Sequence, residues 1–165
     1  MPFSNSNSLV DTDANNMLRG LFRDMTNRAV TGTTSITDLG SVSVTGGTIT
    51  ATGCLYFMAA GTITGVAGAK TIQVDFGATS IITTGAVAGS GDWYLEGWIF
   101  NTATGAQRIV VRWSDHSNAT NHNKDYTTSA IDTTASVTLR VRGTLANAAD
   151  TITETMFFVG VQQIT

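Results

Sequence analysis

Residues 135–142, ASVTLRVR, alternate strictly between apolar and polar side chains. The apolar positions are Ala135, Val137, Leu139 and Val141. Successive side chains of a β-strand point to opposite faces of a sheet. This stretch therefore predicts an antiparallel strand with one face in a core and the other in contact with water.

The same period of two recurs through most of the chain after residue 30, for example in residues 71–76 and 107–113. Turn-forming stretches such as 45–47 and 101–105 separate the alternating segments. Thr accounts for 29 of the 165 residues, and this β-branched residue favours strands. We expect an all-β fold in one domain over residues 31–165, an antiparallel β-sandwich of jelly-roll type with about eight strands.

Two segments are apolar on both faces. In residues 92–100, Trp93, Leu95 and Ile99 alternate with Tyr94, Trp98 and Phe100, and residues 151–164 behave similarly. A strand that is apolar on both faces is covered on both sides. One cover is the core, and a subunit interface is the favoured second cover, although the N-terminal segment or a loop is an alternative. We therefore predict a homo-oligomer, with a trimer favoured, in which the last strand contributes Phe157, Phe158 and Val161.

The first 30 residues differ in pattern from the rest. Residues 1–13 are polar and predict an extended arm, whereas Met17, Leu18, Leu21, Phe22 and Met25 follow one another at helical spacing. We predict a short helix over residues 15–27, supported by the i,i+4 pair Asp24 and Arg28. An apolar stripe left in water favours association, so residues 1–30 are interpreted as an anchor that docks on a neighbouring protein through Leu18, Leu21, Phe22 and Met25. The alternative is that this helix packs on its own domain.

The loop 113–126, WSDHSNATNHNKDY, contains both histidines of the chain. Its His and Asp residues lack the spacing that brings metal ligands together, so we favour a polar surface loop over a metal site. A long loop at a strand end is well placed to contact a partner or ligand. The predicted contact residues are His116, His122 and Tyr126.

Candidate catalytic groups are few. The chain has two glutamates, Glu96 and Glu154, and a sugar-cleaving carboxylate pair is conceivable, but no local motif supports it. The single cysteine, Cys54, lies in an alternating segment and is interpreted as a small half-buried side chain. We predict no enzyme activity, no catalytic residue, no metal and no cofactor.

Charge is sparse, with a net value of −3 and two lysines, which argues against a nucleic-acid-binding role. No apolar run reaches the roughly 18 residues of a membrane-spanning helix, and the start lacks a signal-peptide pattern. The polar faces of two predicted strands carry Arg108, Arg112, Arg140 and Arg142. These arginines are expected to form ion pairs on the sheet surface or to meet an acidic neighbour.

The lead-in MLRGLFRDMTNRAVTG, the Thr/Gly/Ala-rich strands and the closing hairpin ASVTLRVRGTLANAADTITETMFFVGVQQI together resemble small jelly-roll virion proteins of tailed bacteriophages. That group includes capsid decoration proteins and trimeric fibre heads of tumour-necrosis-factor-like topology. The resemblance implies a non-enzymatic protein that is made in the host cytoplasm and docks on a major capsid or tail protein at the virion surface. The chain has no shaft repeat, which favours direct docking on a capsid or tail surface.

The alternative function is a host-recognition or carbohydrate-binding module of a phage tail or fibre. Aromatic residues supply stacking surfaces for a host-surface glycan in such modules. The candidates here are Trp93, Tyr94, Trp98, Trp113 and Tyr126. Strand positions favour core packing for Trp93 and Trp113, so Tyr126 in the loop is the better candidate for a sugar contact.

Overall fold

The computed structural model describes residues 18–65, 67–115 and 122–163, and this part of the chain contains eleven strands and no helix. The strands are β1 (Arg19–Asp24), β2 (Arg28–Thr31), β3 (Thr37–Val44), β4 (Cys54–Thr64), β5 (Lys70–Phe76), β6 (Thr79–Thr83), β7 (Gly91–Ala103), β8 (Ala106–Asp115), β9 (His122–Ser129), β10 (Val137–Leu145) and β11 (Thr151–Gln162). The all-β prediction is confirmed.

Two antiparallel sheets pack face to face as a β-sandwich. The larger sheet has seven strands in the order β1-β11-β4-β7-β8-β9, and β2 also pairs with β11. The smaller sheet has four strands in the order β3-β10-β5-β6. Residues 137–142 of the alternating stretch 135–142 belong to β10, which pairs with β3 on one side and β5 on the other.

The core lies between the two sheets and consists of the apolar side chains that alternate along the strands. Leu139 and Val141 of β10 face it from the small sheet, and Phe57 and Phe157 face it from the large sheet, all with 0% exposure. Burying a side chain of this size contributes roughly 1.5–3 kcal/mol before the ordering costs are subtracted. The inner faces of the strands therefore supply most of the stability of the sandwich.

The helix predicted over residues 15–27 is wrong where the structure describes it, because Arg19–Asp24 form the strand β1. This strand pairs with β11, with a register irregularity between Gly20 and Phe22. The ring of Phe22 packs edge-on against Phe157 at a centroid distance of 5.6 Å. Pairing with a distant strand has overridden a local helical pattern that Gly20 already weakened. Residues 15–17 of the predicted helix lie outside the described residues.

The described part of the N-terminal segment belongs to the large sheet. Strands β1 and β2 pair with successive parts of β11. Arg28 Nη2, at the start of β2, forms an ion pair at 2.7 Å with Asp24 Oδ2, at the end of β1. The pair predicted to support a helix therefore joins two strands instead. The polar arm predicted over residues 1–13 lies outside the described residues.

A buried polar network closes one end of the sandwich. The amide of Asn101 donates to Thr50 O at 2.9 Å and to Thr133 Oγ1 at 2.8 Å, and its oxygen accepts from Gln107 Nε2 at 3.2 Å. Gln107 also accepts from Ser129 Oγ at 2.6 Å. Buried polar groups satisfied in this way fix the loops around them.

A buried ion pair holds the opposite end. Lys70 Nζ lies 3.0 Å from Asp150 Oδ2, and the two side chains are 0% and 1% exposed. The ammonium also donates to Gly65 O at 2.8 Å and Gly68 O at 2.9 Å. Lys70 therefore fastens the loop after β4 to the turn between β10 and β11.

Candidate functional site

The solvent side of the large sheet carries an apolar surface. In β7 the side chains of Trp93, Leu95 and Ile99 are buried, as predicted, and the alternate residues Tyr94, Trp98 and Phe100 lie on the other side. Strand β7 is therefore apolar on both faces, and only one of them is covered by the core of this chain.

The apolar surface extends across neighbouring strands because their registers align. Tyr56 of β4 is opposite Trp98 of β7, Trp98 is opposite Val110 of β8, and Val110 is opposite Tyr126 of β9. Val110 is 40% exposed and Tyr126 is 64% exposed. One row of side chains across four strands thus presents mainly apolar surface to solvent.

Aromatic rings form the centre of this surface. Tyr56 lies 4.8 Å from Trp98 and 6.3 Å from Phe158 of β11, measured between ring centroids. Trp98 and Phe100 stack at 5.8 Å with an interplanar angle of 16°. We call Tyr56, Trp98, Phe100 and Phe158 the outer aromatic face. Each ring of this face is in contact with at least one other ring.

A polar cluster lies beside the outer aromatic face. Glu96 Oε2 accepts hydrogen bonds from Tyr94 at 2.6 Å and from Tyr56 at 3.1 Å, and Arg112 Nε lies 3.4 Å from Glu96 Oε1. Partial burial, followed by the hydrogen bonds to this carboxylate, raises the pKa of both tyrosines. Both phenols therefore remain protonated donors, and the cluster orients side chains rather than supplying a nucleophile.

A small cleft of about 150 Å³ opens next to this cluster. Its lining residues are Glu96, Gly97, Trp98, Val110 and Arg112. The cleft combines an aromatic wall with one acidic and one basic group, and it is large enough for one side chain or one sugar ring.

The solvent side of the small sheet is polar by contrast. Asp75 Oδ2 lies 3.0 Å from Arg142 Nη1 and 3.5 Å from Arg140 Nη2, and Asp38 lies 3.1 Å from Arg142 Nε. A groove of about 420 Å³ at one end of this sheet is lined by residues that include Asp132, Ser136 and Arg140. The two outer faces of the sandwich therefore have different chemistry.

The four arginines on the polar strand faces lie in two different sheets. Arg108 and Arg112 belong to β8 in the large sheet, and Arg140 and Arg142 belong to β10 in the small sheet. Arg112, Arg140 and Arg142 each pair with a carboxylate, so the expectation of surface ion pairs is met for these three.

The predicted interface residues are in four different environments. Phe157 and Val161 are 0% and 1% exposed and belong to the core of this chain, which leaves Phe158 as the member on the solvent side. Leu21 and Phe22 pack partly against the core. Leu18 and Met25 are 43% and 53% exposed.

The predicted ligand-contact residues are not gathered into a site. His116 lies outside the described residues, and for His122 the structure describes only its backbone place at the start of β9. Tyr126 belongs to β9 rather than to a loop and points to the same side as Trp98 and Val110. Trp93 and Trp113 are core residues, as their strand positions indicated.

The two glutamates do not form a carboxylate pair. Glu96 lies on the solvent side of the large sheet, whereas Glu154 lies on the core side and is 1% exposed. Among residues 18–65, 67–115 and 122–163, no group of three His, Cys, Asp or Glu side chains is placed to hold a metal ion.

Alternation along β7 places Glu96 beside Tyr94, but local patterns do not identify its other two partners, Tyr56 and Arg112. The contact of Tyr56 with Trp98 depends on β4 and β7 being neighbouring strands. Sequence alternation identifies the face of a strand, but it does not identify the neighbouring strand.

No family model, no curated protein and no solved structure matches this chain. In the part of the chain that the structure describes, no helix has the length and hydropathy needed to cross a membrane. The resemblance to virion proteins therefore stays a prediction.

Proposed function

We propose that this chain is a virion structural protein that associates with further copies of itself through the outer aromatic face and decorates the particle surface. The observation that carries the proposal is the uncovered apolar side of the large sheet. Tyr56, Trp98, Phe100 and Phe158 come from three neighbouring strands whose opposite side is already a core. Contiguous exposed apolar surface normally marks an interface.

The strand order supports the jelly-roll type of sandwich. Strands β1, β11, β4 and β7 follow one another in the large sheet, and β3, β10, β5 and β6 follow one another in the small sheet. Early and late strands thus pair in both sheets, as expected when antiparallel strands wind around each other in a jelly roll. In this proposal β8 and β9 are an added hairpin that widens the large sheet.

A second copy of this chain is the proposed occupant of the outer aromatic face. The face carries both signs of charge, since Glu96 and the 63% exposed Arg112 lie beside the rings, so identical copies offer each other complementary groups. A stable contact needs about 800 Å² per partner, which a face spanning several strands can provide. Rotation about a three-fold axis repeats one such contact into a closed trimer.

Sedimentation velocity of the full chain tests the self-association. We expect the wild type to sediment as a trimer of 17.3 kDa chains. Phe100→Lys should sediment as a monomer, because Phe100 is 40% exposed and the new charge would be buried only in the contact. Ser43→Lys, an equivalent charge on the exposed side of the small sheet, is the matched control and should remain trimeric. A monomeric wild type, or a trimeric Phe100→Lys variant, contradicts the proposed interface.

Electron microscopy of the source particles tests the virion assignment separately. We expect density for this chain on the capsid or tail surface, in contact with the major capsid or tail protein. Purified particles that lack the chain would exclude the virion role while leaving the self-association test intact.

A carbohydrate-binding module is the second candidate function. The cleft beside Trp98, with Glu96 and Arg112 on its walls, has the aromatic and polar groups that bind a sugar ring. Glycan-array binding that is lost in Arg112→Ala and retained in Ser43→Lys would favour this candidate. Self-association through the same face would compete with glycan binding.

A further inference from the structure

Glu154 is a buried carboxyl group that the proposed interface does not use. It lies on the core side of β11, opposite Arg28 of β2 and Gly61 of β4 in the strand registers, and is 1% exposed. Its Oε2 atom is buried without a hydrogen-bond partner among the described residues. A carboxylate left without a partner in such a place is costly, so the protonated acid is the form that fits.

A strand of the opposite sheet leaves space for this group. Gly40 of β3 faces Glu154, and a Cβ atom at Gly40 would lie 2.6 Å from Oε1 and 2.8 Å from Oε2. The Phe157 ring would lie equally close, with Cδ1 at 2.8 Å, so a larger residue at position 40 fits only if the carboxyl group and the ring both move. The glycine therefore makes room for the acid in the space between the two sheets.

Two charged groups act on Glu154, one from each edge strand. Hydrogen bonds from Thr26 and Arg28 lower the pKa of Asp24 to about 2, so this neighbour is a carboxylate and repels a second negative charge. Burial, with the Asp24 charge as the second cause, raises the pKa of Glu154 to about 8, and Arg28 opposes the rise. Gly40 and Gly61, which face the acid from β3 and β4, bring no charge.

Glu154 lies near the point of β11 at which its edge partner changes from β2 to β1, which we call the joint. Strand β2 pairs with Thr151–Glu154 of β11, and β1 pairs with residues 157–161. The ladder between β11 and β4 is irregular between Glu154 and Met156, next to the connection from β1 to β2. Arg28, the cation nearest to this joint, is already bonded to Asp24 at 2.7 and 3.1 Å.

We propose that the protonation state of Glu154 controls how firmly the edge strands β1 and β2 are attached to the large sheet. We call this arrangement the latch. While the acid is protonated, β1 and β2 stay paired with β11. When it ionises, the pairing of both strands with β11 becomes less stable. Loss of the proton to solvent leaves a buried carboxylate that needs water or a cation. Arg28 can leave Asp24 and pair with this carboxylate, or water can enter at the joint and solvate it. Either change weakens the pairing of residues 19–31 with β11. This device goes beyond the proposed self-association, which uses the opposite side of the sheet.

The full chain labelled with ¹³C at the glutamate carboxyl carbon tests the latch, because it contains only two glutamates. Glu96→Gln removes one of the two signals and assigns the other to Glu154. We expect the Glu154 signal to titrate with a midpoint near pH 8. Between the ordinary glutamate pKa of 4.5 and this midpoint, hydrogen exchange of residues 19–31, corrected for the intrinsic rate, should rise by about tenfold for each pH unit, and it should level off above the midpoint.

The variants separate the latch from a passive buried acid. The pH-dependent rise in exchange should persist in Ser43→Lys, which changes the exposed side of the small sheet, and disappear in Glu154→Gln, which keeps the shape of the protonated acid. Glu154→Leu serves the same purpose if the Gln variant does not fold. A midpoint below pH 6, a midpoint near 8 without faster exchange of residues 19–31, or an unchanged response in Glu154→Gln would each overturn the latch.

Discussion

Replacing Glu154 with Gln should stabilise the protein at neutral and alkaline pH. Burial raises the pKa of Glu154 from 4.5 to about 8 in the folded chain. Between these two pH values the folded chain keeps a proton that the unfolded chain has released, so the free energy of unfolding falls as the pH rises. Below the lower value the acid is protonated in both states, and above the higher value the loss is complete. Gln has no such pH dependence.

The magnitude follows from the size of the shift. Each unit of pKa difference corresponds to about 1.4 kcal/mol, so the full loss approaches about 5 kcal/mol as an upper bound. From about pH 5.5 to about pH 8.5, the difference in unfolding free energy between Glu154→Gln and wild type should grow by about 3 kcal/mol. Carboxyl groups with lowered pKa values, such as Asp24, are common to both proteins and cancel in the comparison.

Urea denaturation followed by tryptophan fluorescence measures this difference. The two proteins are compared at several pH values and at one protein concentration, since self-association would shift apparent stability. Ser43→Lys, on the exposed side of the small sheet, is the control and should follow the pH profile of the wild type. A difference between Glu154→Gln and wild type that stays constant within about 0.5 kcal/mol over this pH range would refute the account of Glu154 as a buried, protonated acid.

Three further perturbations test the packing of the sandwich. Phe157→Ala should lower the unfolding free energy by about 3–5 kcal/mol in urea denaturation, because the ring is fully buried in the core. Asn101→Ala should cost about 1–3 kcal/mol in the same assay, because its buried partners Thr133 and Gln107 lose hydrogen bonds. Lys70→Met should lower the melting temperature and speed hydrogen exchange of the loop after β4, because Asp150 loses its buried cation.

The faces of the strands were predictable because alternation is a local property. Leu139 and Val141 face the core as the 135–142 pattern indicated, and Trp98 and Phe100 lie on the opposite side of their sheet from Ile99. Each assignment needs only the pleat of one strand. The outer aromatic face could therefore be anticipated in β7 and β11, although its extent could not.

Features that depend on which strands are neighbours were not predictable from local patterns. The spacing of Leu18, Leu21 and Phe22 fits a helix, but pairing with β11 makes this segment a strand. Arg112 and Arg140 lie in different sheets for the same reason, because the partner strands of β8 and β10 decide the sheet to which each belongs. A chain segment takes its final form from its partner strand, and the sequence of the segment alone does not identify that partner.

Alternation along the sequence predicts the burial of Glu154, but it does not predict the change of face that follows. Glu154 has the same parity as Ile152, which is fully buried, so a regular strand would place both on the core side. The irregularity after Glu154 then changes the parity, and Phe157 becomes the next core residue. A bulge of this kind is visible only in the paired structure.

The place of β11 between β1 and β4 has a consequence for how the chain is made. The ladder joins Cys54 to Gln162, which lie 108 residues apart, so one long edge of β4 has no partner until the last strand has been synthesised. At ribosomal rates of about 5–20 residues per second, that edge waits for roughly 5–20 seconds. An unpaired apolar strand is a template for aggregation during this interval, and ladders between distant segments form slowly. On the nascent chain, this edge of β4 therefore stays open to wrong pairing until β11 emerges from the ribosome.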